Sequence, residues 1–261
     1  MSLNPRIDSW AGKHVWIIGA STGIGAATAQ QLLAKGARVA VSARRQEALD
    51  RLARREAQAQ AQILALALDV TDHASVVRAR DAILDRWPRI DVVLVVAGGY
   101  SEMRADSFDL AAANRLIDLN LRGVFNCLDT VLPMLLKQGS GGVGIVASVA
   151  GYGGLPKALV YGPTKAALIN LSESLYFDLR PKGIAVYQIN PGFVDTPLTK
   201  GNDFPMPQLM TAPQAAQALI RGMEGGRFHI HFPRKFTNSL RLARLLPYRL
   251  YFWLIAKVTR L

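Results

Sequence analysis

A tyrosine, a lysine and a serine have the types and the spacing needed for carbonyl chemistry. Tyr161 and Lys165 are four residues apart in Tyr-Gly-Pro-Thr-Lys, and Ser148 lies thirteen residues before the tyrosine. Positions i and i+4 of a helix share a face, so we expect the lysine ammonium beside the phenol. A fixed cation lowers the pKa of a phenol from about 10 and makes it a usable proton donor and acceptor. With a serine hydroxyl to hold the substrate oxygen, these groups suit carbonyl reduction or alcohol oxidation.

The N-terminal segment has the pattern of a strand, a glycine turn and the start of a helix. An apolar run from His14 ends in Gly19, Gly23 and Gly25 and passes into alanine-rich sequence. Glycines let the backbone approach a pyrophosphate, and a helix N-terminus presents free N–H groups and a positive dipole to it. The segment therefore predicts a dinucleotide site; a strand-to-helix turn without a ligand is the alternative.

Apolar runs and amphipathic stretches alternate along the chain. Strands are predicted at about 14–18, 38–42, 63–67, 91–96, 143–147, 184–189 and 227–231. Helices are predicted at roughly 24–35, 46–60, 74–87, 107–137, 161–180 and 212–224. Alternation with right-handed crossovers predicts an α/β fold, a doubly wound parallel sheet of about seven strands with helices on both faces and ligand at the carboxyl ends of the strands. Residues 1–261 show no linker or repeat, so a single domain is predicted.

Short motifs in a fixed order give the chain a resemblance to a known family. They are Gly-Ala-Ser-Thr-Gly-Ile-Gly at 19–25, Asp-Val at 69–70, Ala-Gly at 97–98, Asn120 in Leu-Asn-Leu-Arg-Gly, Ser148 in Val-Ala-Ser-Val-Ala-Gly, Tyr-Gly-Pro-Thr-Lys at 161–165 and Asn-Pro-Gly-Phe-Val-Asp-Thr-Pro at 190–197. Over about residues 12–200 the chain resembles the short-chain dehydrogenase/reductase family. The resemblance implies a Rossmann-type oxidoreductase that uses NAD(P) and assembles as a homodimer or homotetramer.

The resemblance also implies a catalytic set of Asn120, Ser148, Tyr161 and Lys165. In this set Tyr161 donates its proton to the carbonyl oxygen as hydride leaves the nicotinamide, and Ser148 holds and polarises that oxygen. Lys165 is expected to lower the pKa of the phenol and to bind the nicotinamide ribose, while Asn120 positions a water that relays protons. Pro163 fits if the helix begins near Tyr161, because N–H groups of a first turn lack partners within the helix.

Residues from several motifs are expected to bind the cofactor. Asp69 and the backbone of Val70 are expected at the adenine, and Thr196 at the pyrophosphate. Val96 stands where the family usually has an asparagine that links neighbouring strands. We therefore expect backbone groups or water to link the strands at this position. The expected cofactor-binding residues are Gly19, Ser21, Thr22, Gly23, Ile24, Gly25, Ser42, Arg44, Asp69, Val70, Ala97, Gly98, Tyr161, Lys165, Pro191, Gly192, Val194 and Thr196.

The end of the second predicted strand bears on the choice of cofactor. In the family that the chain resembles, an acidic residue there often binds the ribose 2′-hydroxyl; here Ala43 takes that position and Arg44 follows it. A guanidinium pairs bidentately with phosphate, and Ser42 can add a hydrogen bond. We therefore expect NADP(H) to be preferred, with NAD(H) as the alternative in which Arg44 and Arg45 only begin a solvated helix.

Composition excludes several other classes of site. The single cysteine, Cys127, rules out a disulfide framework and Cys-x-x-Cys motifs, and its apolar surroundings predict a core residue rather than a nucleophile. The four histidines are scattered without metal-ligand spacing, so no metal is predicted. The N-terminus has no apolar signal region, which favours a cytoplasmic location.

The predicted substrate pocket is apolar. The Pro-rich and polar segment 196–213 interrupts the pattern of elements, and we expect a substrate lid there; an ordinary surface loop is the alternative. Tyr152 and Phe193 are among its expected apolar walls, and no basic residue stands between Ser148 and Lys157. A hydrophobic ketone, aldehyde or secondary alcohol is therefore the expected substrate.

The net charge of +12 is concentrated near the C-terminus, where eight basic residues and no acidic one follow Glu224. Within 234–261, a predicted C-terminal helical extension, basic residues stand beside Phe, Trp, Tyr and Leu in apolar runs too short to span a bilayer. This basic amphipathic extension suits peripheral contact with anionic lipid, or packing on its own domain or a second subunit.

Three classes of function follow from these patterns. The leading interpretation is an NADP(H)-dependent oxidoreductase that interconverts a hydrophobic ketone or aldehyde and its alcohol. A catalytically silent dinucleotide-binding regulator is the second, and the intact catalytic set argues against it. The third is a membrane-associated protein, such as a reductase of lipid-derived carbonyls; no stacking platform or recognition motif supports a nucleic-acid partner.

Overall fold

The computed structural model describes residues 2–55, 62–201 and 204–259. The strands are β1 (His14–Ile18), β2 (Arg38–Ala43), β3 (Ile63–Ala67), β4 (Val92–Val95), β5 (Gly141–Val146), β6 (Ile184–Pro191), β7 (Val194–Asp195), β8 (Met210–Thr211) and β9 (His229–Phe232). The α-helices are α1 (Gly23–Ala34), α2 (Gln46–Arg55), α3 (His73–Arg86), α4 (Leu110–Ile117), α5 (Gly123–Gln138), α6 (Tyr161–Leu179), α7 (Ala212–Glu224), α8 (Arg234–Ala243) and α9 (Tyr248–Thr259). The alternation of strands and helices is the one that the hydrophobic pattern predicts.

The main sheet is parallel and has seven strands in the order β3-β2-β1-β4-β5-β6-β9. Strand β1 is central because the chain builds outward to β3 on one side and then returns to β4 on the other. Ile18, the last residue of β1, is in register with Ser42 of β2 and Val95 of β4. This reversal of direction is where doubly wound sheets bind ligands, so the predicted fold class is confirmed.

Helices cover both faces of the sheet, which explains the nearly continuous apolar strands. All five residues of β1 are buried. Ile17 packs on one face with Leu32 of α1 and Leu219 of α7. Trp16 packs on the other face with residues of α3, α5 and α6. Cys127 is fully buried in this second core, and burial raises the pKa of its thiol to about 12, in agreement with the predicted structural role.

The predicted helix at 107–137 is interrupted in the structure. It consists of α4, a π-helical turn at Asp118–Arg122, and α5. Asn120 lies in this turn and is fully buried. A π-helical turn redirects a side chain relative to a regular helix and is frequent at functional sites. No glycine or proline in 118–122 signals the turn, so the apolar periodicity alone predicts one continuous helix.

Two other predicted segments differ in extent. Of the predicted helix 46–60, the structure has α2 to Arg55, and 56–60 lie outside the described residues. The predicted lid 196–213 forms a loop closed at its base by the parallel pair β7–β8, and its last two residues belong to α7. Thr211 caps α7 through a reciprocal pair with Gln214, which fixes where the loop ends. Residues 202–203 lie outside the described ones.

The C-terminal extension consists of α8 and α9, as expected, and 260–261 lie outside the described residues. Helix α9 buries Tyr251 and Ile255 against the body of the protein. The Tyr251 hydroxyl donates a hydrogen bond to the Gly154 carbonyl at 2.8 Å. None of the helices in the described ranges is long and apolar enough to cross a membrane.

Candidate active site

The glycine turn brings three chain segments together at the carboxyl end of β1. Gly19 has a φ of +100°, and a Cβ there would lie 2.4 Å from the backbone nitrogen of Ala97. A Cβ on Gly25 would lie 2.2 Å from the Gly19 carbonyl oxygen, so α1 packs directly on the turn. The first turn of α1 contains no acidic residue, and the Thr22 side chain does not cap it. Its N–H groups and dipole are therefore available to an anion.

A cleft runs from this turn along the strand ends to Ser148, Tyr161 and Lys165, three of the predicted catalytic residues. Eighteen of the predicted site residues line it, a set that excludes Ser42 and Asn120. The eighteen are Gly19, Ser21, Thr22, Gly23, Ile24, Gly25, Arg44, Asp69, Val70, Ala97, Gly98, Ser148, Tyr161, Lys165, Pro191, Gly192, Val194 and Thr196. Residues from distant parts of the sequence thus share one continuous surface.

Ser42 is not brought to the cleft, contrary to expectation. Its side chain is fully buried, and its hydroxyl accepts a hydrogen bond from the Trp16 indole N–H at 2.9 Å. Its backbone carbonyl accepts from the N–H groups of Gly19 and Ala20 at 2.7 and 3.0 Å. The predicted contact of this hydroxyl with a phosphate is therefore wrong, and Ser42 instead fixes the glycine turn.

Two exposed arginines border the cleft at the end of β2. Arg44, predicted from the sequence, and Arg45, assigned no cofactor role there, both line it. Neither forms an ion pair with a carboxylate among the residues that the structure describes. The two guanidinium groups therefore give this end of the cleft a local positive charge.

Backbone hydrogen bonds tie β1 to the end of β4 where the family usually has an asparagine. The N–H groups of Val96 and Ala97 each donate to the Ile18 carbonyl at 2.8 Å. These backbone groups hold the end of β4 against β1, and whether backbone or water replaces the asparagine at Val96 stays a prediction. Farther along the cleft, the Asp69 carboxylate accepts from the backbone N–H and the hydroxyl of Thr71 at 2.9 and 2.8 Å. This Asx turn holds the loop after β3 in place.

Tyr161 is the first residue of α6, and Lys165 lies one turn later on the same face, as predicted. The phenol hydrogen-bonds the side chain of Ser148. The Lys165 ammonium is buried, donates to the Val146 carbonyl at 3.0 Å and lies 5.7 Å from the centre of the Tyr161 ring. Because the helix begins at Tyr161, Pro163 falls in its first turn and removes no internal hydrogen bond.

Burial dominates the protonation of both side chains. It raises the pKa of Tyr161, and the hydrogen bond from Ser148 only partly opposes that shift. It lowers the pKa of Lys165 to about 8. The predicted lowering of the phenol pKa is therefore wrong for this structure, because losing water disfavours the phenolate more than its neighbours favour it. The phenol is protonated at neutral pH.

Asn120 joins the end of β4 to α6. Its amide nitrogen donates to the Gly99 carbonyl at 2.9 Å and to the Thr164 hydroxyl at 3.2 Å. Its amide oxygen accepts from the Gly99 N–H at 2.7 Å. A Cβ on Gly98 would lie 3.2 Å from this oxygen and 3.3 Å from the Lys165 ammonium nitrogen. The side chain therefore fixes the backbone between itself and Lys165; the relay through water stays a prediction.

Asn190 is a site residue to which sequence reasoning assigned no role. It is fully buried on β6, and its amide nitrogen donates to the Ser148 carbonyl at 3.0 Å. Its amide oxygen accepts from Gln188 at 3.0 Å. Two amides at alternate positions of an otherwise apolar buried strand are a readable signal, because buried polar groups require partners. Asn190 thus positions the backbone of Ser148.

Aromatic side chains lie beside Tyr161 and beside the Gly192 segment. The Tyr100 ring meets the Tyr161 ring edge-on at 5.2 Å. Beyond Gly192 in the cleft, Phe193 lies 6.0 Å from Phe204 of the lid segment and 5.5 Å from Phe236 of α8. Tyr161 thus has an aromatic neighbour, and the Phe193 cluster adds apolar surface next to Gly192, which lines the cleft.

Known proteins share both the sequence pattern and the fold. Residues 13–204 match the model of the short chain dehydrogenase family. An uncharacterized oxidoreductase of Myxococcus xanthus is 34% identical over 90% of this chain and 93% of its own. The structure of ElxO with NADP bound superposes with a TM-score of 0.76 at 25% identity, covering 84% of this chain and 97% of that one. The 3-ketoacyl-(acyl-carrier-protein) reductase of Brucella melitensis, complexed with NADH, gives 0.77 at 25% identity, covering 87% and 99%.

Proposed function

Because the chain belongs to the short-chain dehydrogenase/reductase family, we propose that it is an NADP(H)-dependent enzyme that interconverts a hydrophobic ketone or aldehyde and its alcohol. The chain is an oxidoreductase of this family with a nicotinamide dinucleotide site; its catalytic residues, cofactor preference and substrate class are the proposal. The observation that carries the proposal is the contact of Tyr161 with Ser148 beside the buried Lys165 ammonium.

The residues of the cleft fit a dinucleotide. The uncapped first turn of α1 suits the pyrophosphate, and a Cβ on Gly23 would lie 2.9 Å from a methyl carbon of Thr196, so the threonine closes over the turn. Arg44 and Arg45 would hold a 2′-phosphate through charge-assisted hydrogen bonds. Lys165 and Tyr161 would face the nicotinamide half. The bound cofactor supplies or accepts the hydride.

Side chains of the protein carry out the proton transfer. The Tyr161 phenol holds a proton at neutral pH because burial raises its pKa, and it donates that proton to the substrate's carbonyl oxygen. The Ser148 hydroxyl holds the same oxygen, while its backbone is fixed by Asn190. The Lys165 ammonium stabilises the phenolate that remains. Asn120 holds in place the backbone at Gly98, which lies between the Asn120 amide and the Lys165 ammonium. In the oxidative direction, the phenolate takes the proton back from the alcohol.

The apolar surroundings set the expected substrate class. Tyr100 places a ring beside Tyr161, and Phe193 and Phe204 pack together next to Gly192, which lines the cleft. The nearby Lys157 is paired with Glu102 at 3.1 Å, so its charge is balanced. A hydrophobic ketone or aldehyde loses little hydration free energy in such a pocket, whereas a carboxylate would lose its water without a partner.

The test is nicotinamide absorbance with a series of hydrophobic ketones and aldehydes of increasing chain length, with NADPH and NADH in parallel. We expect turnover with NADPH that improves with chain length. A catalytically silent regulator would instead bind NADPH in a titration without turning over any member of the series. Equal or better turnover with NADH would contradict the proposed cofactor preference but not the reaction.

A further inference from the structure

The two C-terminal helices pack on the body of the protein with one face and leave the other face apolar and exposed. Tyr251 and Ile255 are the buried side of α9. Leu245 is 80% exposed and Trp253 is 60% exposed on the outer side. We call this outer side the tail surface. Its exposed apolar residues are Leu242, Leu245, Leu250, Phe252 and Trp253.

The tail surface is also uniformly basic. Arg249 and Lys257 are exposed among its apolar residues, and no acidic residue follows Glu224 in the sequence. Within the described ranges, neither of these two cations pairs with a carboxylate. The charge of the tail surface is therefore uncompensated by the protein itself.

Cations and aromatic rings on α9 share one stripe. Arg249, Trp253 and Lys257 follow one another at intervals of four, opposite the buried Tyr251 and Ile255. The Lys257 ammonium lies 5.0 Å from the centre of the Trp253 ring. An indole flanked by cations at both neighbouring turns suits the boundary between lipid headgroups and acyl chains, where the ring is buried and the charges reach outward.

We propose that the tail surface docks on the surface of a bilayer that contains anionic lipid. Helices with an apolar face and interspersed basic residues bind there through apolar burial and attraction to the headgroups. A second copy docked face to face would bring the uncompensated cations of α9, Arg249 and Lys257, close to their own copies, because a two-fold interface is self-complementary. Charge complementarity therefore selects an anionic bilayer over a second copy of this chain.

Docking would bring the candidate active site to the bilayer. Phe236 of α8 contacts Phe193, and a Cβ on Gly192 would lie 3.0 Å from the Phe236 ring. Tyr251 of α9 binds the Gly154 carbonyl, six residues beyond Ser148. The docked helices thus border the two segments that flank the reacting groups. If the proposed function holds, a carbonyl compound dissolved in the membrane is the substrate class that this orientation favours.

Vesicle co-sedimentation of the full chain tests the docking without any enzymatic readout. We expect sedimentation with equal parts phosphatidylglycerol and phosphatidylcholine, little with phosphatidylcholine alone, and a decline as salt rises. Arg249→Glu combined with Lys257→Glu should weaken binding at least about tenfold. Arg54→Glu with Arg55→Glu makes the same change of charge on exposed positions of α2 and should have little effect.

Two further results separate docking from other roles of the tail. Trp253→Ser, which leaves the charge unchanged, should also weaken vesicle binding, while turnover of a water-soluble ketone by either tail variant stays at the wild-type level. Equal binding to neutral and anionic vesicles, or equal losses in the α2 control, would overturn the proposal. So would a change of oligomeric mass in Trp253→Ser with unaltered vesicle binding, since the tail surface would then be a subunit interface.

Discussion

At the level of single residues, the proposed proton transfer depends on two side chains, Tyr161 and Lys165, whose pKa values burial moves in opposite directions. The phenol of Tyr161 keeps its proton, and the ammonium of Lys165 loses its proton more readily. The sequence predicts that these two residues share a helix face, because spacing fixes that. It predicts the wrong direction for the shift of the phenol pKa, since that direction depends on how much water the folded site excludes.

The rate of reduction should depend on the charge of Lys165. Its pKa is lowered to about 8, so the ammonium is present below that pH and lost as the pH rises through it. We expect kcat/KM for NADPH-dependent reduction to fall above about pH 8, because the remaining phenolate is no longer stabilised. In Lys165→Arg the cation persists at high pH. The fall of kcat/KM above about pH 8 should therefore be absent in this variant, even if its overall rate is lower. A wild-type profile that stays level through pH 10 would exclude the role.

Asn190 offers a test of positioning at the same scale. Asn190→Ala removes the donor to the Ser148 carbonyl and should lower kcat roughly tenfold or more, with a stability loss of about 1–3 kcal/mol. Asn4→Ala is the matched control, since Asn4 is a buried asparagine that bonds the backbone of Val186 on the same strand, away from the site. The control should lose comparable stability in a thermal melt and keep its kcat. Equal kcat in both variants would make Asn190 a merely structural residue.

Among the secondary-structure elements, hydrophobic periodicity predicts the regular strands and helices. It misses an irregular turn that a single side-chain contact stabilises. The strands of the main sheet and the start of α6 at Tyr161 follow from apolar runs and from proline chemistry. The π-helical turn at Asn120 does not, because its cause is the pairing of that amide with Gly99 and Thr164, remote in sequence. The bond between the Ser42 hydroxyl and Trp16 is missed for a related reason, because strand alternation does not indicate which buried side chains pair.

The end of β2 should set the cofactor preference. Arg44→Ala with Arg45→Ala removes both cations that border the cleft there, and we expect KM for NADPH to rise about 10- to 100-fold. The KM for NADH should hardly change, because NADH has no 2′-phosphate. Arg54→Ala with Arg55→Ala, on the exposed side of α2, serves as the control. A parallel rise of both KM values would show that the arginines support the fold or the adenine instead.

At the scale of the whole molecule, the strand order places all the motifs at one edge of the sheet. The sequence predicts this meeting because parallel strands joined by helices end on the same side. It does not predict which surfaces remain uncovered. Helices α5 and α6, on the same face of the sheet, expose Phe125 and Phe177, and Phe177 is 77% exposed. Exposed rings of this size on neighbouring elements indicate a contact between subunits.

We therefore propose that α5 and α6 form part of a homodimer or homotetramer interface. Phe177→Glu should shift the molecular mass in light scattering toward the monomer at low micromolar concentration, because a carboxylate would be buried unpaired. Leu110→Glu, at another exposed apolar position, should leave the mass unchanged. A wild-type protein that is already monomeric at high concentration would refute the interface.

If Tyr161 supplies the proton, Tyr161→Phe removes it at its source. Turnover with NADPH and the best ketone of the series should fall at least about a thousandfold, toward the upper range for general acid catalysis, while NADPH still binds in a titration. Tyr100→Phe, which removes the hydroxyl of the adjacent ring, should keep most of the activity. Near-wild-type turnover in Tyr161→Phe would contradict the account, because the proton would then come from another group.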